Sequence, residues 1–155
     1  MTTIRAYRAG DRAACKGVFY RAVRQGAAGA YPASALAVWA PSPLPDPDQP
    51  DKLLDQWAWV AEAEGRITGF MSLRRDGYLD MAFVLPEVMG TGVAGALYEV
   101  LIAQARRAGL ARLSAHASHL ARPFLARRGW QVKAQDAYER DGAVLTRFAM
   151  VVVVD

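Results

Sequence analysis

Apolar positions along this chain change their period several times, and each change marks an element. Ile4 and Ala6 alternate with polar neighbours and predict an opening strand, after which Gly10-Asp11 supplies a turn and a helix N-cap. Ala14, Cys15, Val18, Phe19, Ala22 and Val23 then recur at three- and four-residue spacing, an apolar stripe on one helical face that ends at Gln25-Gly26. Pro32 suits the first turn of a second helix through Ala35, Leu36 and Trp39. From Pro41 to Pro50, five of ten residues are proline, which resists helix and sheet alike and predicts a loop.

A helical turn over Lys52 to Gln56 leads into three strand patterns, Trp57 to Ala61, Ile67 to Leu73 and Tyr78 to Leu85. Turns at Glu64-Gly65 and Asp76-Gly77 separate them and predict an antiparallel meander. Val93, Leu97, Val100, Leu101 and Ala108 next share one helical face, with Gly109 as its C-terminal cap. Leu110 to Ala115 reads as a short strand, which a helical crossover should return to the sheet in parallel. Ser118 caps a further helix through Arg128, Gly129 ends it, and Trp130 to Ala134 and Val144 to Val154 form two closing strands around Asp141-Gly142. This order predicts one α+β domain over residues 1–155: a mixed, mostly antiparallel sheet of six to seven strands flanked by about four helices. The apolar run Met150 to Val154 is either an interior strand or a pairing edge for a second copy, so a homodimer is one expectation.

Composition narrows the chemistry. With 53% apolar residues, the chain can bury a core at this length. Cys15 is the single cysteine, so no intrachain disulfide or thiolate metal cluster can form, and two histidines without clustered carboxylates make no metal site. No stretch approaches the roughly 20 apolar residues of a membrane span, and the N-terminal residues lack a signal-like apolar run; a cytoplasmic protein is expected. Nineteen basic residues against fifteen acidic ones give a net +4, but the arginines are scattered, which argues against nucleic acid as a partner. Such a mild positive field still attracts an anionic cofactor.

The run Val84-Leu85-Pro86-Glu87-Val88-Met89-Gly90-Thr91-Gly92-Val93-Ala94-Gly95 carries the most chemical information, since there a strand ends, glycines crowd a turn and a helix begins. The first turn of a helix has N–H groups without intrahelical partners, and its dipole adds positive charge. Glycine lets a ligand approach the backbone, so a phosphate-bearing cofactor is the first hypothesis. The string Gly90-Thr91-Gly92-Val93-Ala94-Gly95 also satisfies the dinucleotide fingerprint G-x-G-x-x-G. That reading requires the turn after a first strand and an acidic residue about 20 positions on, at the tip of the next strand. Here three strands precede the turn and the next one ends at Ala115-His116-Ala117-Ser118, so an acyl-CoA cofactor is preferred.

In both order and motif the chain resembles the GCN5-related N-acetyltransferase superfamily over almost its whole length. Members carry a pyrophosphate loop Gln/Arg-x-x-Gly-x-Gly/Ala after a strand ending Val-x-Pro; here Val84-Leu85-Pro86 precedes Met89-Gly90-Thr91-Gly92-Val93-Ala94. The segment from Ala121 through Phe124 and Leu125 to Gly129-Trp130 resembles the family's Ala-x-x-Phe-Tyr-x-x-x-Gly-Phe. Tyr31-Pro32 with Trp39-Ala40-Pro41 is similar to a small bacterial subgroup. The resemblance implies transfer of an acetyl group from acetyl-CoA to a primary amine by direct attack in a ternary complex. It also implies cofactor contacts from Phe83, Val84, Met89, Gly90, Thr91, Gly92, Val93, Ala94, Gly95, Ser118 and Phe124. Three positions depart from the pattern. Met89 replaces Gln or Arg, Ser118 replaces an asparagine, and Leu125 stands where many members have the tyrosine that protonates the departing thiolate. The vacancy at Leu125 keeps a second reading open, a non-catalytic acyl-CoA-binding module.

Transfer to an ammonium acceptor also needs a proton acceptor. Asp80, on the strand just before the glycine turn, is the leading candidate base, against a reading as a solvent-facing hairpin residue. His116 and His119 flank the end of the fifth strand and are alternative bases. Tyr138, in the closing hairpin, is a candidate replacement for the acid missing at Leu125. Tyr20, Tyr31 and Trp39 are candidates for the acceptor pocket, a small-molecule or peptide amine being the partner expected. Cys15 could carry an acetyl group covalently, but its place on the apolar stripe reads as a buried hydrophobe.

Overall fold

Seven strands form one sheet: β1 (Thr2–Ala6), β2 (Trp57–Ala63), β3 (Arg66–Leu73), β4 (Tyr78–Val84), β5 (Arg112–Ala117), β6 (Gln131–Arg140) and β7 (Ala143–Val153). Their spatial order in this computed structural model, which describes residues 1–155, is β1-β2-β3-β4-β5-β7-β6. All neighbours are antiparallel except β4 and β5, which are joined by a helical crossover and run parallel. The helices are α1 (Arg12–Arg21), α2 (Ala33–Trp39), α3 (Val93–Arg107) and α4 (Ala121–Ala126).

The strands alternate as their sequence dictates, and the sheet buries both faces. On one side α3 and α4 cover Met71, Leu73, Leu113, Phe148 and Met150, with Leu97 and Leu101 as the helix's inward residues. On the other, α1 brings Cys15 and Val18 against Val60, Phe70 and Leu85. A third cluster joins Val23, Tyr31, Ala35 and Leu36 to Ala143 and Leu145 of β7. The result is a three-layer α/β/α domain, the α+β class expected from the order of elements.

The two-residue turns Glu64-Gly65 and Asp141-Gly142 have positive φ at both positions, 53° and 75° in the first and 49° and 82° in the second. Primed turns of this kind match the right-handed twist of paired strands, which is why such dipeptides announce hairpins. Several boundaries differ from the sequence expectation. The stripe of α1 continues as a π-helical segment, Ala22–Gly26. α4 closes at Ala126 rather than Arg128, and β6 runs to Arg140, well past the Ala134 expected. Met150 to Val153 lie in β7, which is an interior strand between β5 and β6; the edge strands are β1 and β6. No helix is long and apolar enough to cross a membrane.

Candidate active site

Strands β4 and β5 stay paired only at Tyr78↔Ser114 and Leu79↔Ala115, then part. Past Leu79, the edge of β4 that faces β5 has no strand partner, so its peptide groups are available to a ligand. A mostly apolar cavity of about 270 Å³ fills the gap and passes through the sheet. Met71, Leu79, Ala82, Val84, Ala115, Ala117, Phe124 and Leu125 line it on the α3/α4 side, and Ala22, Val23, Ala27, Trp39 and Phe83 line it on the α1/α2 side. The π-helical segment supplies part of the second wall, a frequent placement for such segments.

A bulge in β4 sets the one carboxylate in the lining. Ser72 pairs with Met81 and Leu73 with Leu79, so Asp80 is an extra residue without a partner on β3. The inserted residue re-phases the strand: Leu79, Ala82 and Val84 face α3, and Met81 and Phe83 face α1. Asp80 Oδ2 accepts from Gln56 Nε2 at 2.9 Å and lies 3.0 Å from Lys52 Nζ, while Oδ1 has no partner in the chain. Both donors come from the short turn before β2, and nothing in their local sequence marks them.

His116 also lines the cavity, with Nδ1 2.8 Å from the Tyr78 hydroxyl. Burial, and then the nearby Asp80, raise the Tyr78 phenol above its ordinary range, which keeps it protonated.

The glycine turn borders this cavity through Met89, Gly90 and Ala94. Gly90 and Gly92 have φ of 76° and 93°, and Gly92 is the N-cap of α3 in the left-handed conformation. Within the chain, the N–H groups of Gly90 and of Gly92, Val93, Ala94 and Gly95 have no acceptor; the first intrahelical bond is Ala96 N–H to Gly92 O at 3.0 Å. Thr91 is exposed and its hydroxyl donates to Val88 O. Unspent amides beside an apolar gap suit a ligand with a phosphate end and an uncharged arm, so the residues present fit acetyl-CoA.

The structure gathers Asp80, Phe83, Val84, Met89, Gly90, Ala94, Ser118, Phe124 and Trp39 around one cavity. Ser118 Oγ also accepts from Ala121 N–H at 3.1 Å, although the N-cap position of α4 falls on Leu120 rather than on Ser118. Val93 turns its side chain into the core, leaving only its amide to the loop. Other candidates stand elsewhere. Tyr138 is not in the lining, because β6 lies two strands beyond β5; its ring packs in the third cluster beneath the Arg147 guanidinium. Tyr20 sits beneath Arg24 and faces a separate polar groove. Tyr31 is spent structurally: its hydroxyl donates to Thr146 O at 3.1 Å and accepts from His119 N–H at 3.0 Å, and burial raises its phenol. The His119 ring packs between Tyr31 and Phe148, outside the cavity. Cys15 is buried under α1, and burial together with Asp11 and Asp51 pushes its thiol up to about 12.

A sheet parted between two parallel strands, with a helix mouth of free amides beside the gap, is the acyl-CoA N-acyltransferase fold. Residues 47–152 match the family model described as an acetyltransferase (GNAT) domain, and the chain belongs to this family. It is 35% identical over 147 residues to the uncharacterized N-acetyltransferase YafP of Escherichia coli (strain K12), covering 95% of this chain and 93% of that protein. A GCN5-related N-acetyltransferase from Rhodopseudomonas palustris superposes with a TM-score of 0.89 at 26% identity, over 99% of this chain and 96% of the other. The structure of yncA from Salmonella typhimurium with its cofactor acetyl-CoA has the same fold, with a TM-score of 0.69 at 23% identity and coverage of 100% and 95%. The protein is an acetyl-CoA-dependent N-acetyltransferase, with acetyl-CoA as its co-substrate.

Proposed function

We propose that the protein transfers an acetyl group from acetyl-CoA straight to a primary amine, with both substrates held together in the cavity between β4 and β5. The observation that carries this reading is Asp80, the one carboxylate in an otherwise apolar lining, set there by the bulge and held with one oxygen free. When bound, acetyl-CoA supplies an activated acetyl thioester. The amides of Gly90 and of Gly92 to Gly95 bind its diphosphate, while the free edge of β4 at Phe83 and Val84 orients its arm through hydrogen bonds. Asp80 takes the proton that an ammonium acceptor must lose, directly or through water.

Direct transfer is supported by the state of the only thiol. Cys15 lies outside the cavity and its pKa is pushed up to about 12, so it offers no thiolate to carry the acetyl group. Leu125 brings no proton donor to the lining and Tyr138 stands outside it, so water or another donor at the cavity reprotonates the departing sulfur. Val23, Ala27, Trp39 and Phe83 make the acceptor side apolar and aromatic, which favours an amine borne on an apolar body, whether a small molecule or a peptide.

CoA release measured across a panel of amines tests the reading. Asp80→Asn is expected to lower kcat about 100-fold with the acetyl-CoA Kd unchanged within about twofold. An unchanged kcat removes Asp80 from the chemistry. The Tyr78–His116 contact favours one alternative, an imidazole base; in that case His116→Gln takes the loss and Asp80→Asn does not.

A further inference from the structure

We propose that Arg128 is a ligand of the phosphate groups in the nucleotide half of the cofactor, an assignment that rests on the acetyl-CoA reading above. Arg128 follows α4 in sequence, yet its guanidinium reaches the first turn of α3: Nη2 lies 3.0 Å from the point where a Cβ on Gly95 would stand. That turn is where the amides of Gly92 to Gly95 are free of partners. The cation and the amides therefore address one place.

The guanidinium is held rather than waving in solvent. Its carbon lies 3.7 Å from the centre of the Phe124 ring and 5.4 Å from that of Tyr98, and Nη1 donates to Phe124 O at 3.2 Å. Phe124 itself lines the cavity, so the stack is continuous with the cofactor gap. Arg128 takes part in none of the ion pairs of the fold. A guanidinium has five N–H donors in a planar fork, and one is engaged here; the rest suit the paired oxygens of a phosphate.

Gly95 corroborates the placement from the opposite side. Its φ is not positive, so its conformation does not require glycine, and glycine inside a helix costs about 1 kcal/mol relative to alanine. The nearest atom to an added Cβ is Arg128 Nη2, and no other lies within 4 Å. The missing side chain leaves space for this guanidinium. The third glycine of the G-x-G-x-x-G string therefore serves the arginine as well as the backbone.

Phosphate oxygens occur twice in the nucleotide half of CoA, in the diphosphate and in the ribose 3′-phosphate. Calorimetry with CoA, with dephospho-CoA and with pantetheine, the last measured by competition against CoA, separates them. Arg128→Gln is expected to raise the CoA Kd about tenfold, Arg128→Lys to recover part of the loss, and pantetheine to bind both variants as it binds the parent. A loss that persists with dephospho-CoA assigns the contact to the diphosphate, and one that vanishes there assigns it to the 3′-phosphate. Arg128→Met, which keeps an apolar stem and removes the guanidinium, should weaken CoA in the same direction and serves if Arg128→Gln folds poorly. A CoA Kd within twofold of the parent in Arg128→Gln, or an equal loss with pantetheine, overturns the proposal in favour of packing on Phe124 and Tyr98. Failure of the parent protein to bind CoA would overturn the cofactor reading instead.

Discussion

Asp11 shows how a single side chain can carry pH dependence in this fold. It accepts from Arg5 Nη1 and Nη2 at 2.8 and 2.9 Å and from the Arg8 N–H at 3.0 Å, with its side chain only 7% exposed. The Arg5 bonds outweigh burial and hold the carboxyl below its usual range. A carboxyl whose folded value lies below its unfolded value of about 4 stabilises the fold fully above that pH, and the contribution is lost as pH falls through the folded value. Urea melts from pH 7 down to pH 3 should therefore show a falling stability. Asp11→Asn should cost about 2 kcal/mol at pH 7 and flatten the acid limb; an acid limb unchanged in Asp11→Asn would mean that other carboxyls dominate. Glu87, lowered to about 2 by Arg21 and Arg66, has the same sign but is solvent-exposed and screened, so its removal should be felt little.

Among elements, the join between β4 and α3 concentrates both left-handed glycines and function. Gly92 holds the left-handed conformation that aims the following amides outward, and an L-residue there costs about 1–2 kcal/mol. Gly92→Ala is expected to lower Tm by a few degrees and to raise the CoA Kd several-fold, read by differential scanning calorimetry and by titration. A changed Tm with an unchanged Kd would show that the amides keep their aim without it. This element was legible in advance because strand, glycine turn and helix are local in sequence and each has its own period. The bulge at Asp80 was not, since it exists only through pairing with Ser72 and Leu73 on β3, nor was the π-helical Ala22–Gly26 segment.

Over the whole molecule, one ligand bridges parts that are far apart in sequence. The cavity draws on the π-helical segment, α2, β4, the glycine turn, β5 and α4, so CoA should tie both faces of the sheet together. At 100 times its Kd it should stabilise the fold by about 2.7 kcal/mol, a rise in Tm of roughly 5–11 °C for a chain of this size. NAD at the same concentration should leave Tm unchanged; a comparable rise with NAD would revive the dinucleotide reading of the glycine string.

From its sequence alone the chain determined what depends on neighbours a few positions apart: the element order, the hairpin turns and the helix mouth of free amides at Gly90 and Gly92 to Gly95. Periodicity, turn chemistry and unpaired N–H groups are local properties, and they hold wherever the segment is placed. Only the tertiary structure decided which side chains meet. It put Asp80 in the gap with Lys52 and Gln56 at its back, carried Tyr138 two strands away on β6, spent Tyr31 on Thr146 and His119, and laid Arg128 against Gly95. Those outcomes follow from strand order and register, which are set by how the whole chain packs its two apolar faces rather than by any stretch of it.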